Sequence, residues 1–214
     1  MQFFDPKQDH TVVWKRLPHW AQAGTLCFIT WRTADSLPVD VRRRLADERA
    51  KVLSDVGLNV AGDWRRELTK LPVQERDSVQ WKLFAAWDGE LDRAAGECVL
   101  KRPELSLIVA NSLLHFDGQR HELTDFVVMP NHVHLLVAFH EEEMLAKQCA
   151  SWKRFTSRDI HQALARHGEF WQVDQFDHLV RSEEEFLHYR QYIADNPIKA
   201  GLAVEFYRHY RKQL

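Results

Sequence analysis

The chain has 214 residues, 45% hydrophobic and 28% charged, with a formal net charge of −2. That is ordinary soluble globular composition with enough chain to bury a core, and the near-neutral charge neither demands nor excludes a nucleic-acid partner. No run approaches the roughly 18 apolar residues of a membrane span, and the first residues, MQFFDPKQDHTVVWKRLPHW, lack the parts of a secretory signal. Cys27, Cys98 and Cys149 are far apart with no CxxC pair, so they read as reduced thiols of a cytoplasmic protein.

In chain order, GTLCFITWRT (24–33) is rich in strand formers and reads as a buried strand. Pro38 opens a charged amphipathic helix through about Val56, with Val41, Leu45, Val52, Leu53 and Val56 as its apolar stripe, and GLNVAGD breaks it. Between the Pro72 and Gly96 boundaries, QERDSVQWKLFAAWDGELDRA reads as helix but carries no catalytic spacing. Pro103 begins a further helix, ELSLIVANSLLHF, which ends at DGQ. Two strands follow, at about 120–129 and 132–139, joined tightly at Met129-Pro130-Asn131. The glutamates of EEEMLAKQCASWKRFTSRDIHQALARHG suit a helix N-terminus, and Gly168 suits its C-terminal cap. FWQVDQFDHLV reads as a short strand or extended segment. A last helix starts at Ser182 in a capping box with Glu185 and stops at Pro197, and the tail FYRHYRKQL is basic and aromatic.

These elements predict an α+β fold: a ferredoxin-like antiparallel sheet with helices on one face and the other face free, plus a final helix. A single domain over 1–214 is expected, with a mainly helical insertion at about 57–102.

The run VVMPNHVHLLVAF (127–139) poses the functional question. Residues two apart in a strand share a face, so Val133, Leu135, Val137 and Phe139 form a core stripe while His132 and His134 look the other way. Two imidazoles so placed can bind one metal, although a lone His-x-His in a strand is more often structural. No HExxH motif or cysteine cluster supplies a third zinc ligand. RQYIADNPIKAGL (190–202) offers another candidate: Tyr192 and Asn196 are four apart and stack on one helix face, a phenol beside an amide oxygen able to ligate a hard cation. On spacing alone, Tyr192 could equally be a half-buried core residue and Asn196 a helix cap before proline.

MPNHVHLLV followed by YIADNPIKAGL resembles the single-tyrosine HUH transposases of the IS200-like kind, and most of all the REP-associated tyrosine transposases. The resemblance covers roughly 24–33 and 120–202, including SWKRFTS and the FWQ, FDH and VRSEE segments before the tyrosine. The 57–102 stretch has no counterpart in the compact family core, and Gln175 stands where the family often has an aromatic. The resemblance implies a divalent metal, Mg²⁺ or Mn²⁺, on His132, His134 and Asn196, with Tyr192 as the nucleophile. It implies cleavage and rejoining of single-stranded DNA near hairpins or palindromic repeats through a 5′-phosphotyrosine, in a bacterial cytoplasmic protein acting as monomer or homodimer.

Tyr189 is the rival nucleophile, one helical turn earlier, but has Ile193 rather than an amide four residues on. His178 reads either as a phosphate-orienting or as a core histidine. Arg32, Lys153, Arg154, Arg158, Lys199, Arg208, Arg211 and Lys212 are the candidate DNA contacts, each also readable as a solvated surface charge. A non-catalytic hairpin-binding protein and a metal-dependent hydrolytic nuclease are the alternative readings.

Overall fold

The computed structural model describes residues 1–14, 18–91, 93 and 95–213. The chain divides into two compact units, one of residues 1–34 with 97–214 and the other of residues 35–96. In the first, β1 (Thr11–Trp14) and β2 (Pro18–Ala21) pair antiparallel, and β3 (Leu26–Arg32) follows. The second holds α1 (Val39–Asp55), α2 (Trp64–Leu68) and α3 (Val73–Leu91). The first then resumes with α4 (Pro103–Leu114), β4 (His121–Val128), β5 (His132–Phe139), α5 (Glu142–Leu164), β6 (Phe176–Leu179), α6 (Glu183–Lys199) and β7 (Arg208–Arg211).

The larger unit is built on a five-stranded sheet in the order β6-β3-β5-β4-β7, every neighbouring pair antiparallel. The first four of these have the ferredoxin-like order: β5 lies between β3 and β4, and β3 lies between β5 and β6. The fourth residue of HELTDFVV adds a register shift between Leu123 and Asp125, a bulge that re-aims the strand near its middle. One sheet face carries Cys27, Ile29, Trp31, Leu123, Phe126, Val128, Val133, Leu135 and Val137, packed with Leu105, Val109 and Leu113 of α4 and Leu145, Cys149 and Trp152 of α5. Trp152 donates its indole N–H to the Ser112 carbonyl at 3.0 Å, tying α5 to α4.

Three local expectations change. The α5 C-cap is Ala165, in the left-handed region at φ 50°, where Arg166 N–H reaches the His161 carbonyl at 3.0 Å. Gly168, at φ 112°, lies in the loop beyond and its own carbonyl meets His161 Nε2 at 3.0 Å. The helix thus closes before the glycine reserved for it, with an alanine taking the strained backbone. Ser182 does cap α6, accepting from Glu185 N–H at 3.1 Å, but α6 runs through Pro197 to Lys199. A proline this near the end removes a single ladder bond, and Ala200 and Leu202 N–H close the turn on Asn196 and Pro197 carbonyls at 3.1 and 2.9 Å. The basic tail adds β7, an edge strand that pairs Arg208–Arg211 with Asp125–Val128.

In the smaller unit α1 and α3 pack together, joined by an Arg44–Glu90 ion pair at 2.7 Å. Only Leu53 of the expected α1 stripe is fully buried; Val41, Leu45, Val52 and Val56 are half-buried. Leu68, Val79, Phe84 and Leu91 are buried, and Asp63 caps α2 by accepting from Arg66 N–H at 3.4 Å. Asp92 and Ala94, in the last turn of the helix expected here, lie outside the described residues.

Candidate metal and nucleophile site

β5 places His132 and His134 on the face opposite the apolar core, and the antiparallel register sets Arg32 beside His132 and Thr30 beside His134. This face is not open. α6 lies over it, burying Tyr189, Ile193 and Asn196, and both histidines are 0% exposed. The spacing of those three, at i, i+4 and i+7, is one helical stripe, so the polar face of the sheet has a dedicated cover.

His132 Nδ1 stands 2.7 Å from Asn131 Oδ1, and His134 Nδ1 stands 2.7 Å from Thr30 Oγ1. The rings lie edge to face with centroids 4.6 Å apart, and a ligand atom of each lies within 4.8 Å of one on the other. Burial pulls the His132 pKa down to about 3, against a smaller opposing effect of the neighbouring Asn196 amide. His134 is lowered well below the usual range, by burial first and by His132 second. Both are therefore neutral at ordinary pH, the state in which imidazole offers a lone pair to a metal.

Asn196, 1% exposed, lies close enough to His132 to influence it, yet the contact lacks hydrogen-bond geometry. Neither amide atom of Asn196, nor His132 Nε2, has a hydrogen-bond partner among the described residues. Buried polar atoms left unspent are destabilising and rare. Two neutral imidazoles and an amide oxygen form a donor set that fits a divalent cation of mixed nitrogen and oxygen preference. Because α6 continues through Pro197, Asn196 sits inside the helix rather than capping its end.

Tyr192, one turn before Asn196, is half-buried, and its ring meets His134 edge-on at a centroid distance of 5.4 Å. Lys199 Nζ lies 5.5 Å from the same ring. Tyr189 is different: 2% exposed, stacked on Phe28 at 4.2 Å, and with its phenol pKa raised by burial. It is a core aromatic. His178 also has a structural partner, with Nε2 2.8 Å from Glu185 Oε1, and that glutamate accepts from Arg181 N–H at 2.6 Å.

One holding device escaped the sequence reading. Asp125, at the β4 bulge and 0% exposed, pairs with Arg190 Nε at 3.0 Å, and Arg190 donates to the Lys212 carbonyl at 2.8 Å. This buried pair joins α6, β4 and the C-terminal segment two residues before Tyr192. A lone arginine in a helix and a lone aspartate in a strand give no sign of such a partnership; only the register brings them together.

The eight candidate cations are dispersed. Arg32 is buried beside His132, with Nη1 3.4 Å from the Thr33 carbonyl. Lys153 reaches across to Gln175 Oε1 at 2.8 Å and to the Val173 carbonyl at 3.1 Å, so it ties α5 to the segment before β6. Arg154 and Arg158 are exposed on α5, across the sheet from the histidines, and Arg158 pairs with Asp159 at 2.8 Å. Arg208 lies 3.3 Å from Ser106 Oγ, Arg211 lies 3.7 Å from Asp125, and Lys212 lies between Asp117 and Glu122 at 3.5 and 3.4 Å. Lys199 is the member of the set placed beside Tyr192.

Residues 112–196 match the family model described as transposase IS200 like. Over these residues the chain is similar to the IS200-like transposases. The matched stretch runs from α4 to the last turn of α6 and contains His132, His134, Tyr192 and Asn196; residues 35–96 lie outside it. Among solved structures, a REP-associated tyrosine transposase bound to a REP hairpin is similar at 16% identity and TM-score 0.38, over 86% of this chain and 73% of that one. A provisionally named transposase from Deinococcus radiodurans R1 is similar at 14% identity and TM-score 0.30, over 92% and 98%. No curated protein matches the sequence.

Among the described residues, no helix is long and apolar enough to cross a membrane.

Proposed function

We propose that this protein cleaves and rejoins single-stranded DNA by metal-dependent transesterification, with Tyr192 as nucleophile. The observation that carries the reading is the placement of Tyr192 and Asn196 on one helix, the phenol ring 5.4 Å from that of His134 and the amide against His132. His132, His134 and Asn196 are the residues that would hold Mg²⁺ or Mn²⁺. When bound, that ion would supply charge stabilisation at the scissile phosphate.

The chain's own part is positioning. Tyr192 Oη attacks phosphorus, the bond from phosphorus to the 3′ oxygen breaks, and a 5′-phosphotyrosine forms. The phenol proton leaves and a proton is taken up by the departing oxygen, so the other product is a 3′-hydroxyl. One phosphodiester replaces another, so the 3′-hydroxyl can reverse the step and join strands. A free phenol has a pKa of about 10, so a divalent cation held beside Tyr192 would assist its ionisation.

For the DNA, Lys199 is proposed to meet the phosphate next to the reacting one, and exposed Arg154, Arg158 and Arg211 to meet phosphates farther along. The preference for hairpins or palindromic repeats, the bacterial cytoplasmic setting, and action as a monomer or homodimer follow from the sequence resemblance.

The test is covalent trapping. The protein is incubated with labelled single-stranded hairpin oligonucleotides and Mn²⁺, then denatured, with EDTA and Tyr192→Phe as controls. A denaturation-resistant adduct lost in both controls is the expected result. Cleavage with no adduct would point instead to hydrolysis. Hairpin binding with neither would make this a binding protein.

A further inference from the structure

Each imidazole of the candidate metal site is held by one specific side chain. We infer that Thr30 and Asn131 are the positioning residues of that site, fixing which nitrogen of His134 and of His132 is presented to the ion. This inference rests on the metal reading above.

A neutral imidazole has one N–H and one lone pair, so the partner of one nitrogen decides what the other can do. The Asn131 amide oxygen is an acceptor only, so at 2.7 Å it holds the proton on Nδ1 of His132 and leaves the lone pair on Nε2. That Nε2 is the buried atom with no hydrogen-bond partner among the described residues, on the ring beside Asn196. The Thr30 hydroxyl lies against Nδ1 of His134, also at 2.7 Å; a hydroxyl can donate or accept, and when His134 presents the lone pair of Nε2 it accepts the hydrogen bond from Nδ1–H. Both holders are essentially fully buried, at 0% for Thr30 and 1% for Asn131, so water cannot substitute for either.

Their places in the fold differ and support one another. Asn131 is the turn residue directly before β5, so its reach to His132 is local. Thr30 belongs to β3 and meets His134 because the register of β3 on β5 sets them directly opposite. The rings are also restrained sideways: His134 lies over Phe28 at 5.7 Å with a 15° interplanar angle and edge-on to His132. Packing alone leaves a ring flip open, which would exchange Nδ1 and Nε2; the two hydrogen bonds remove that freedom. Outer partners of this kind typically carry a ten- to hundredfold share of metal affinity.

The test measures Mn²⁺ affinity by the electron paramagnetic resonance of the free ion, on the full chain without DNA. Thr30→Val keeps the side-chain shape and removes the hydroxyl; Thr30→Ser keeps the hydroxyl. Thr30→Val should weaken Mn²⁺ binding about ten- to hundredfold, with Thr30→Ser close to wild type, and raised Mn²⁺ should restore adduct formation to the Thr30→Val protein. Asn131→Asp, which keeps an acceptor on Nδ1, should bind Mn²⁺ at least as well as wild type. Should Thr30→Val fail to fold, a Thr30→Ser protein with affinity far from wild type would count against the idea. Wild-type affinity in Thr30→Val would overturn the positioning role while leaving the metal reading intact. Wild-type affinity in His132→Ala would overturn the metal reading, and this inference with it.

Discussion

The two faces of the central sheet use the same strands in opposite ways. On one, Ile29, Trp31, Val133, Leu135 and Val137 meet α4 and α5 in a continuous apolar core. On the other, Thr30, His132, His134 and Asp125 are equally buried, on the face that α6 covers. Burial of aliphatic groups stabilises in proportion to the area hidden from water. Burial of imidazole, guanidinium and carboxylate groups is unfavourable unless each finds a partner. Alternate residues of one strand thus divide the work: odd positions of β5 hold the fold together, and its first two even positions, His132 and His134, maintain groups that stability alone does not call for.

Substitutions on the two faces should therefore separate activity from stability. Tyr192→Phe is expected to reduce the covalent adduct to background while changing the unfolding free energy by no more than about 1 kcal/mol. A persisting adduct would place the nucleophile elsewhere. Next in size, Arg190→Met leaves buried Asp125 only Arg211, at 3.7 Å, and should destabilise by about 3 kcal/mol, read by urea denaturation. Changing Asp125→Leu as well should recover part of that loss, and no recovery would refute the pairing explanation. On the apolar face, Leu135→Ala should cost about 2–5 kcal/mol yet leave the adduct yield per folded molecule unchanged. If that yield collapses too, the division of work between the faces is wrong.

The smallest effect concerns a carboxylate that intrudes on the apolar side, Asp177 of β6, paired in register with Ile29. It bonds His19 Nδ1, while Asp174 meets His19 Nε2 at 2.9 Å. Burial alone would lower the His19 pKa, but the two carboxylates overcome it and raise it to about 9 from 6.5. A group raised in this way contributes its stabilisation in full below 6.5 and loses it as pH rises through about 9. The melting temperature should fall across that window, and His19→Gln should flatten the fall. An equally steep profile in His19→Gln would assign the pH dependence to another group.

Much of this was legible from residues alone, because alternation along a strand and capping at a helix start are local events. HVHLLVAF displays both faces of β5 by its period of two, and Ser182 with Glu185 marks the start of α6. What sequence could not supply was the docking of α6 on the histidine face, since Arg190 and Asp125 declare themselves only once β4 and α6 are together. Pro197 read as a stop, yet a proline in a last turn forfeits little. RHYR becomes a strand through an available sheet edge rather than through any alternation of its own. Of the proposed site, the two motifs pointed to His132, His134, Tyr192 and Asn196, whereas the role proposed for Thr30 leaves no mark that sets it apart from any strand threonine. The cations were the least legible, because charge in a sequence does not reveal whether it is already engaged, as Lys153 is on the Val173 carbonyl.

The two ends of the helical unit meet. A side chain at Gly96, where φ is +91°, would strike Asp35, whose carboxylate lies 2.8 Å from the position a Cβ would take. An excursion that returns to its own starting point behaves toward the rest of the chain as a closed loop, whatever its length. Helices 39–55, 64–68 and 73–91 thus lie inside a loop of chain whose two ends are neighbours, and the glycine at position 96 is what lets those ends approach so closely.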